Sequence, residues 1–146
     1  MHNIANLLEA KGKDIWSIGP QETAFKALQT MAQKNVGALL VIDKGKLVGI
    51  FSERDYARKV ILRGKSSKET TVGELMTPEV FYASPDDTLQ ESMALMTAKH
   101  IRHMPVYKDD RLIGMVTLGD VVRQIISEQK FTIKELEKYI SGGYEI

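Results

Sequence analysis

The sequence predicts an α/β (α+β) fold: one strand-helix-strand-strand-helix unit used twice, with a short helix flanking each end. Three observations predict it. Displacing the chain by 65 positions lays residues 15–61 on residues 80–126 without a gap. Ten pairs in that window are identical: Pro20/Pro85, Thr23/Thr88, Met31/Met96, Lys34/Lys99, Val41/Val106, Leu47/Leu112, Gly49/Gly114, Asp55/Asp120, Arg58/Arg123 and Ile61/Ile126. Many other pairs exchange one apolar residue for another, as Val36 for Ile101 and Val48 for Ile113, so the copies share a hydrophobic pattern too. A unit this short cannot close a sizeable core alone, and the two copies are expected to pack on each other about a pseudo-twofold axis. That arrangement leaves two similar clefts between them, where function is expected.

The elements follow in order. Asn3 to Lys11 reads as a short amphipathic helix with Ile4, Leu7 and Leu8 inward. Ile15 to Ile18 is a first strand, broken by Gly19-Pro20, and Ala24, Ala27, Leu28, Met31 and Ala32 fall at helical spacing. Ala38 to Ile42 is a continuous apolar run suited to a buried strand, and Lys44-Gly45 turns it into Leu47 to Ser52. Tyr56, Ala57, Val60 and Ile61 give the apolar stripe of a second helix. A connector follows, with a helical turn around Val72 to Met76.

The second copy has Val80 to Tyr82 as first strand, then a Thr88/Glu91 capping box opening a helix with Leu89, Met93 and Met96 on its apolar face. His103 to Tyr107 and Arg111 to Thr117 form the strand pair, with Pro105 marking an edge or bulge. Val121, Val122, Ile125 and Ile126 line the next helix. A separate terminal helix is expected over Thr132 to Ile140, stopped by Ser141-Gly142-Gly143 and followed by a frayed tail. The segments are therefore residues 1–13 (N-terminal helix), 14–64 (first repeat), 65–78 (linker), 79–130 (second repeat) and 131–146 (C-terminal helix and tail).

Composition narrows the function. A 43% hydrophobic content excludes disorder, and a net charge of +1 gives no field for nucleic acid or an anionic membrane. No cysteine removes disulfides, thiolate chemistry and cysteine metal sites, and it fits a reducing compartment. With no signal-peptide pattern near the start, the cytoplasm is the expected location. Gly64-Lys65-Ser66 imitates the end of a phosphate-binding loop, but Lys59 stands where that loop needs glycine. The basic stretch Arg54 to Lys68 lacks interleaved aromatics and reads as a solvated face. His2 and His100 carry no metal-ligand spacing.

The sharpest motif occurs at one place in both copies: Gly49-Ile50-Phe51-Ser52-Glu53-Arg54-Asp55 and Gly114-Met115-Val116-Thr117-Leu118-Gly119-Asp120. Each puts a glycine in a strand, a hydroxyl at the strand end and an aspartate three residues on, at a helix start. Helix capping explains one such pattern. Two in register suit a ribose as well, because a carboxylate accepts hydrogen bonds from both vicinal hydroxyls. The hydroxyl adds a contact, nearby N–H groups favour an anion, and the glycine leaves room for a flat base or a close backbone approach.

With these motifs and the segment Ile101-Arg102-His103-Met104-Pro105-Val106, the chain resembles paired CBS domains (the Bateman module) from Asp14 to about Lys130. The resemblance implies a non-catalytic regulatory module that binds AMP, ADP, ATP, NAD(H) or S-adenosylmethionine between its repeats, has no catalytic cofactor, and forms a homodimer. By position, it implies Asp55 and Asp120 as ribose holders, assisted by Ser52 and Thr117. Ile18, Pro20, Ala83 and Pro85 would edge the adenine, and Ala38, Leu39, Met104 and Pro105 would wall it. Arg54, Arg58, Arg102, His103 and Arg123 are the cations for phosphate. Because Arg102-His103 replace Gly37-Ala38, and Glu53-Arg54 become Leu118-Gly119, the two sites are expected to differ. The competing readings are a nucleotide-hydrolysing enzyme, which lacks a nucleophile motif or metal cluster here, and a dimerisation or nucleic-acid-binding module without nucleotide sensing.

Overall fold

In the structure, a computed structural model that describes residues 2–142, the chain divides into two compact units. One runs from Asp14 to Tyr82; the other joins the residues up to Lys13 to those from Ala83 onward. The elements are α1 (Ile4–Lys11), β1 (Ser17–Ile18), α2 (Ala24–Lys34), β2 (Ala38–Asp43), β3 (Lys46–Ser52), α3 (Glu53–Tyr56) running into a π-helical segment (Ala57–Ile61), α4 (Val72–Leu75), α5 (Leu89–Lys99), β4 (His103–Lys108), β5 (Arg111–Thr117) and α6 (Leu118–Gly142).

In the Asp14–Tyr82 unit, β1 pairs parallel to β2, and β2 pairs antiparallel to β3. The parallel pair needs a crossover, which α2 supplies. Thr23 caps α2, its Oγ1 accepting the Lys26 N–H at 3.1 Å, and left-handed Asn35 ends it. The β2–β3 turn puts Lys44 and Gly45 at φ 52° and 79°, the left-handed pair that a tight hairpin favours. Ala24, Ala27 and Met31 of α2 pack with Leu39, Val41, Phe51 and Val60 into the core, joined by Val72 and Leu75 of α4.

The second unit repeats this with a difference at its first strand. Val80–Tyr82 is not a strand; only Ala83 bridges, its N–H donating to the Pro105 carbonyl while its own carbonyl accepts from Tyr107, both at 2.9 Å. The pairing does not run back over Val80–Tyr82: in the first repeat the Leu40 N–H donates to the Trp16 carbonyl at 3.1 Å, whereas Pro105 at the matching position has no N–H to donate. The Thr88/Glu91 capping box forms as its spacing predicts, at 3.0 and 3.2 Å. The bulge near Pro105 falls between Val106 and Tyr107, and the same bulge lies between Val41 and Ile42, so the repeat sets it rather than the proline.

The final helices depart further from the expected pattern. Of the Tyr56, Ala57, Val60, Ile61 stripe, Tyr56 and Val60 face the core whereas Ala57 and Ile61 face out. Val121 and Ile125 likewise pack inward, with Val122 and Ile126 outward. No separate terminal helix exists: α6 is continuous over 25 residues. Nothing between Ser127 and Thr132 breaks a helix, and the Thr132 hydroxyl bonds back to the Glu128 carbonyl at 3.0 Å. Gly142 is helical rather than a stop, and the expected frayed tail lies outside the described residues. No helix among the described residues is long and apolar enough to cross a membrane.

The parts that close each unit come from elsewhere in the chain. Residues 66–77 close the unit of the first repeat: Ser67, Thr70 and Thr77 carbonyls accept from Phe25, Ala24 and Ile50. Helix α1, though it precedes the first repeat, belongs to the unit of the second, where the Ile4 and Ala5 N–H groups donate to Asp87 and Pro85 carbonyls. Ile4, Leu7 and Leu8 are buried there among Leu89, Met96, Met104 and Val116.

Candidate functional site

Both strand-end aspartates sit in reciprocal caps. In the first repeat, Asp55 Oδ2 accepts from the Ser52 N–H at 3.0 Å and the Ser52 hydroxyl at 3.1 Å, while Ser52 Oγ accepts the Asp55 N–H. Asp55 Oδ1 has two longer partners, the Thr77 hydroxyl at 3.3 Å and the Lys59 ammonium at 3.4 Å. In the second repeat, Asp120 Oδ2 accepts from the Thr117 N–H at 2.9 Å and from Lys11 Nζ at 2.5 Å. Asp120 Oδ1 accepts from Arg123 at 2.8 Å. Capping is therefore real at both sites, and each carboxylate has capacity beyond it, filled by Lys59 and the Thr77 hydroxyl at Asp55 and by Lys11 and Arg123 at Asp120.

Lys11 fastens the end of α1 to this corner, donating also to the Met115 carbonyl at 2.7 Å. Lys59 reaches the Leu75 carbonyl at 3.0 Å and so ties α4 to the first site. Each aspartate thus meets a lysine, but from a different source. Lys59 is four residues along the same helical stretch, a spacing legible in the sequence. Lys11 is 109 residues from Asp120, and no local pattern announces it.

The strand glycines serve the chain itself. A Cβ on Gly114 would meet Leu8 Cδ2 at 2.9 Å, and one on Gly49 would meet Met76 Sδ at 2.6 Å and the Thr77 carbonyl oxygen at 2.9 Å. The close backbone approach expected of the motif is present at Gly49; the room beside Gly114 is filled by α1. Of the other expected site residues, Ile18, Ala38, Leu39, Ala83, Met104 and Pro105 are buried, with Leu39 and Met104 inside the two cores. Pro20 and Pro85 are half-buried, their carbonyls occupied by Gly73 and Ala5. Arg54, Arg58 and Arg102 are exposed, and His103 is half-buried where β4 begins. Arg123 joins Asp120 with most of its side chain exposed. His100, bland in the sequence, is the left-handed end of α5 (φ 56°), at the position of Asn35.

Burial alone would push the Asp120 carboxyl up. The Lys11 hydrogen bond, the Thr117 N–H, the Lys11 charge and the Thr117 hydroxyl outweigh it and hold the pKa below the ordinary carboxylate value. A depressed folded-state pKa stabilises the protein above the unfolded value, near ~4, and that contribution fades as pH falls through the lower folded one. Lys11→Met is therefore expected to lower stability at pH 7 by about 1 kcal/mol, the scale of a partly exposed pair, and by less near pH 3. Urea unfolding at the two pH values checks this. An equal loss at both would mean that packing of the lysine stem, not its charge, holds α1.

Among the described residues, no group of three metal-ligating side chains gathers. A family model described as the CBS domain matches residues 11–62 and again 72–127. The chain is 42% identical to CBS domain-containing protein CBSX3, mitochondrial, of Arabidopsis thaliana, over 97% of this chain and 73% of that one. It is 34% identical to CBS domain-containing protein YhcV of Bacillus subtilis, over 77% of this chain and 80% of that one. Among solved structures, a signal-transduction protein with CBS domains from Burkholderia ambifaria superposes with a TM-score of 0.84 at 42% identity, over 87% of this chain and 96% of that one. The CBS-domain pair of protein MJ0100, solved with 5-methylthioadenosine and S-adenosyl-L-methionine, superposes with a TM-score of 0.77 at 26% identity, over 88% and 98%. Two matched repeats, each ending in the same capped aspartate, and relatives alike over most of their length make this chain a member of the CBS-domain family, a CBS pair of regulatory, non-catalytic fold.

Proposed function

We propose that the chain is an adenosine-nucleotide sensor that binds AMP, ADP, ATP or NAD(H) at its two strand-end aspartates, works as a homodimer, and signals by a ligand-dependent change in conformation or partner affinity. The observation that carries this reading is the duplicated carboxylate, 15% exposed at Asp55 and 13% at Asp120, each with oxygens held by cations that a ribose diol could replace. The adenosine-derived ligands of the MJ0100 pair support it. A cysteine-free chain suits the cytoplasm, the compartment we propose, although the Arabidopsis relative is by its name mitochondrial.

The two sites are inequivalent in this reading. At Asp55 the displaceable partners are long, at 3.3 and 3.4 Å; at Asp120 they are tight, at 2.5 and 2.8 Å. Opening the second site releases Lys11 and Arg123, whose charges then need an anion, so that site prefers a phosphorylated ligand to a bare nucleoside. A ligand shifts the protein only through its difference in affinity between two states, and release of Lys11, at the end of α1, from Asp120 supplies such a difference.

Isothermal titration calorimetry of the purified protein against AMP, ATP, NADH and S-adenosylmethionine tests the reading. Saturable binding to wild type, abolished in Asp55→Ala/Asp120→Ala, is expected. A folded wild type that binds none of the four would turn the reading to a dimerisation or partner-binding module.

A further inference from the structure

Beyond the site, α6 carries a second pattern. From Gln129 to Ile140 every residue is exposed, so the distal half of the helix buries no side chain in the core of its own unit. An unsupported helix of about 12 residues is marginal in water. Yet this stretch is not polar: Ile133, Leu136 and Ile140 are 54%, 57% and 61% exposed. They continue a stripe begun by Val122 and Ile126, at 36% and 45%. Spacings of 4, 3, 4, 3 and 4 through Val122, Ile126, Gln129, Ile133, Leu136 and Ile140 are those of a heptad seam. The stripe differs from the one that docks α6 on its own unit, which runs through Leu118, Val121 and Ile125.

We propose that this face is the seam of the homodimer inferred above, occupied by α6 of a second copy of the chain, parallel and in register. The proposal specifies that homodimer and rests on it. The choice of occupant follows from the heptad. Its a positions are Ile126, Ile133 and Ile140, and its d positions are Val122, Gln129 and Leu136. β-branched residues at every a position, with Leu136 at one d, favour two parallel strands, and the one polar seam residue, Gln129, fixes register by pairing with its own copy. The flanking charges permit it. In a parallel pair Lys130 faces Ile125 and Glu137 faces Thr132 of the other copy, so no like charges oppose. The seam is about 27 Å long at 1.5 Å per residue. Two such helices bury on the order of 1,000 Å², the lower limit for a specific interface, so the dimer is reversible rather than obligate.

The absence of native cysteine makes the test direct. Ile133→Cys on the seam is expected to crosslink as a disulfide dimer under mild oxidation. Phe131→Cys, at a site 65% exposed but off the seam, is expected not to. Light scattering at tens of micromolar should give twice the chain mass for wild type, and the chain mass for Ile133→Glu, with any loss of helix by circular dichroism no larger than the distal half of α6. A dimeric wild type that Ile133→Glu leaves dimeric overturns the seam while sparing the homodimer. A monomeric wild type overturns both. Crosslinking only in a mixture of Ile133→Cys and Leu136→Cys chains shows antiparallel helices and overturns the parallel register.

Discussion

Asp120→Asn is expected to weaken AMP binding at the second repeat by about ten- to a hundredfold, with the fold intact. Hydrogen bonds to a charged group contribute roughly 1.5–3 kcal/mol each, and each 1.4 kcal/mol is tenfold in affinity. The asparagine carbonyl still accepts the Thr117 N–H, so the reciprocal cap persists. Its amide, however, donates where a ribose hydroxyl needs an acceptor. Asp120→Ala removes the cap partner as well and should lose about 1 kcal/mol of stability in addition. The pair of variants separates recognition from capping. If both lose stability in proportion to the cap and neither loses affinity, Asp120 is a helix-starting residue and nothing more.

The ligand series sharpens this. Adenosine brings a diol but no anion to meet the released Lys11 and Arg123, so wild type should discriminate AMP from adenosine more strongly at Asp120 than at Asp55. Equal discrimination at both sites would remove the lysine from the account. The asymmetry is not visible in the motif, since Gly-x-x-Ser/Thr-x-x-Asp reads alike in both copies. It arises because the two units recruit different neighbours, α1 for the second repeat and residues 66–77 for the first.

That recruitment marks the boundary of what the sequence disclosed. The strand-helix-strand-strand-helix order, the Lys44-Gly45 turn and the Thr88/Glu91 box were legible because each depends on residues a few positions apart. The three buried residues of α1 were legible from helical spacing, but not the strands they cover, since a 3.6-residue period names a face and not a partner. Val80–Tyr82 is apolar without being a strand, because Pro105 lacks the N–H that Leu40 supplies to hold the first strand of the first repeat. The expected break in α6 misled for a related reason. Apolar spacing marks a face and not a length, and one continuous helix carries both the stripe packed on its own unit and an exposed stripe that runs on to Ile140.

Gly49→Ala is expected to cost about 1–3 kcal/mol, the scale of one methyl forced into a packed site, and to lower Tm by roughly 3–10 °C. The added Cβ would stand 2.9 Å from the Thr77 carbonyl oxygen, which belongs to backbone. That carbonyl accepts from the Ile50 N–H at 3.0 Å, and Thr77 donates back to Ile50 at 2.9 Å. The methyl must therefore open a two-bond bridge or push β3 aside, and it also frees the Thr77 hydroxyl from Asp55. Gly114→Ala meets only the end of the Leu8 side chain, at 2.9 and 3.1 Å, which rotates at less cost even though Leu8 is buried. Urea unfolding of the two variants should rank Gly49→Ala as the more damaging. The reverse order would mean that α1 is the less yielding neighbour, and that the second repeat, not the first, is the one whose glycine is dictated by its packing.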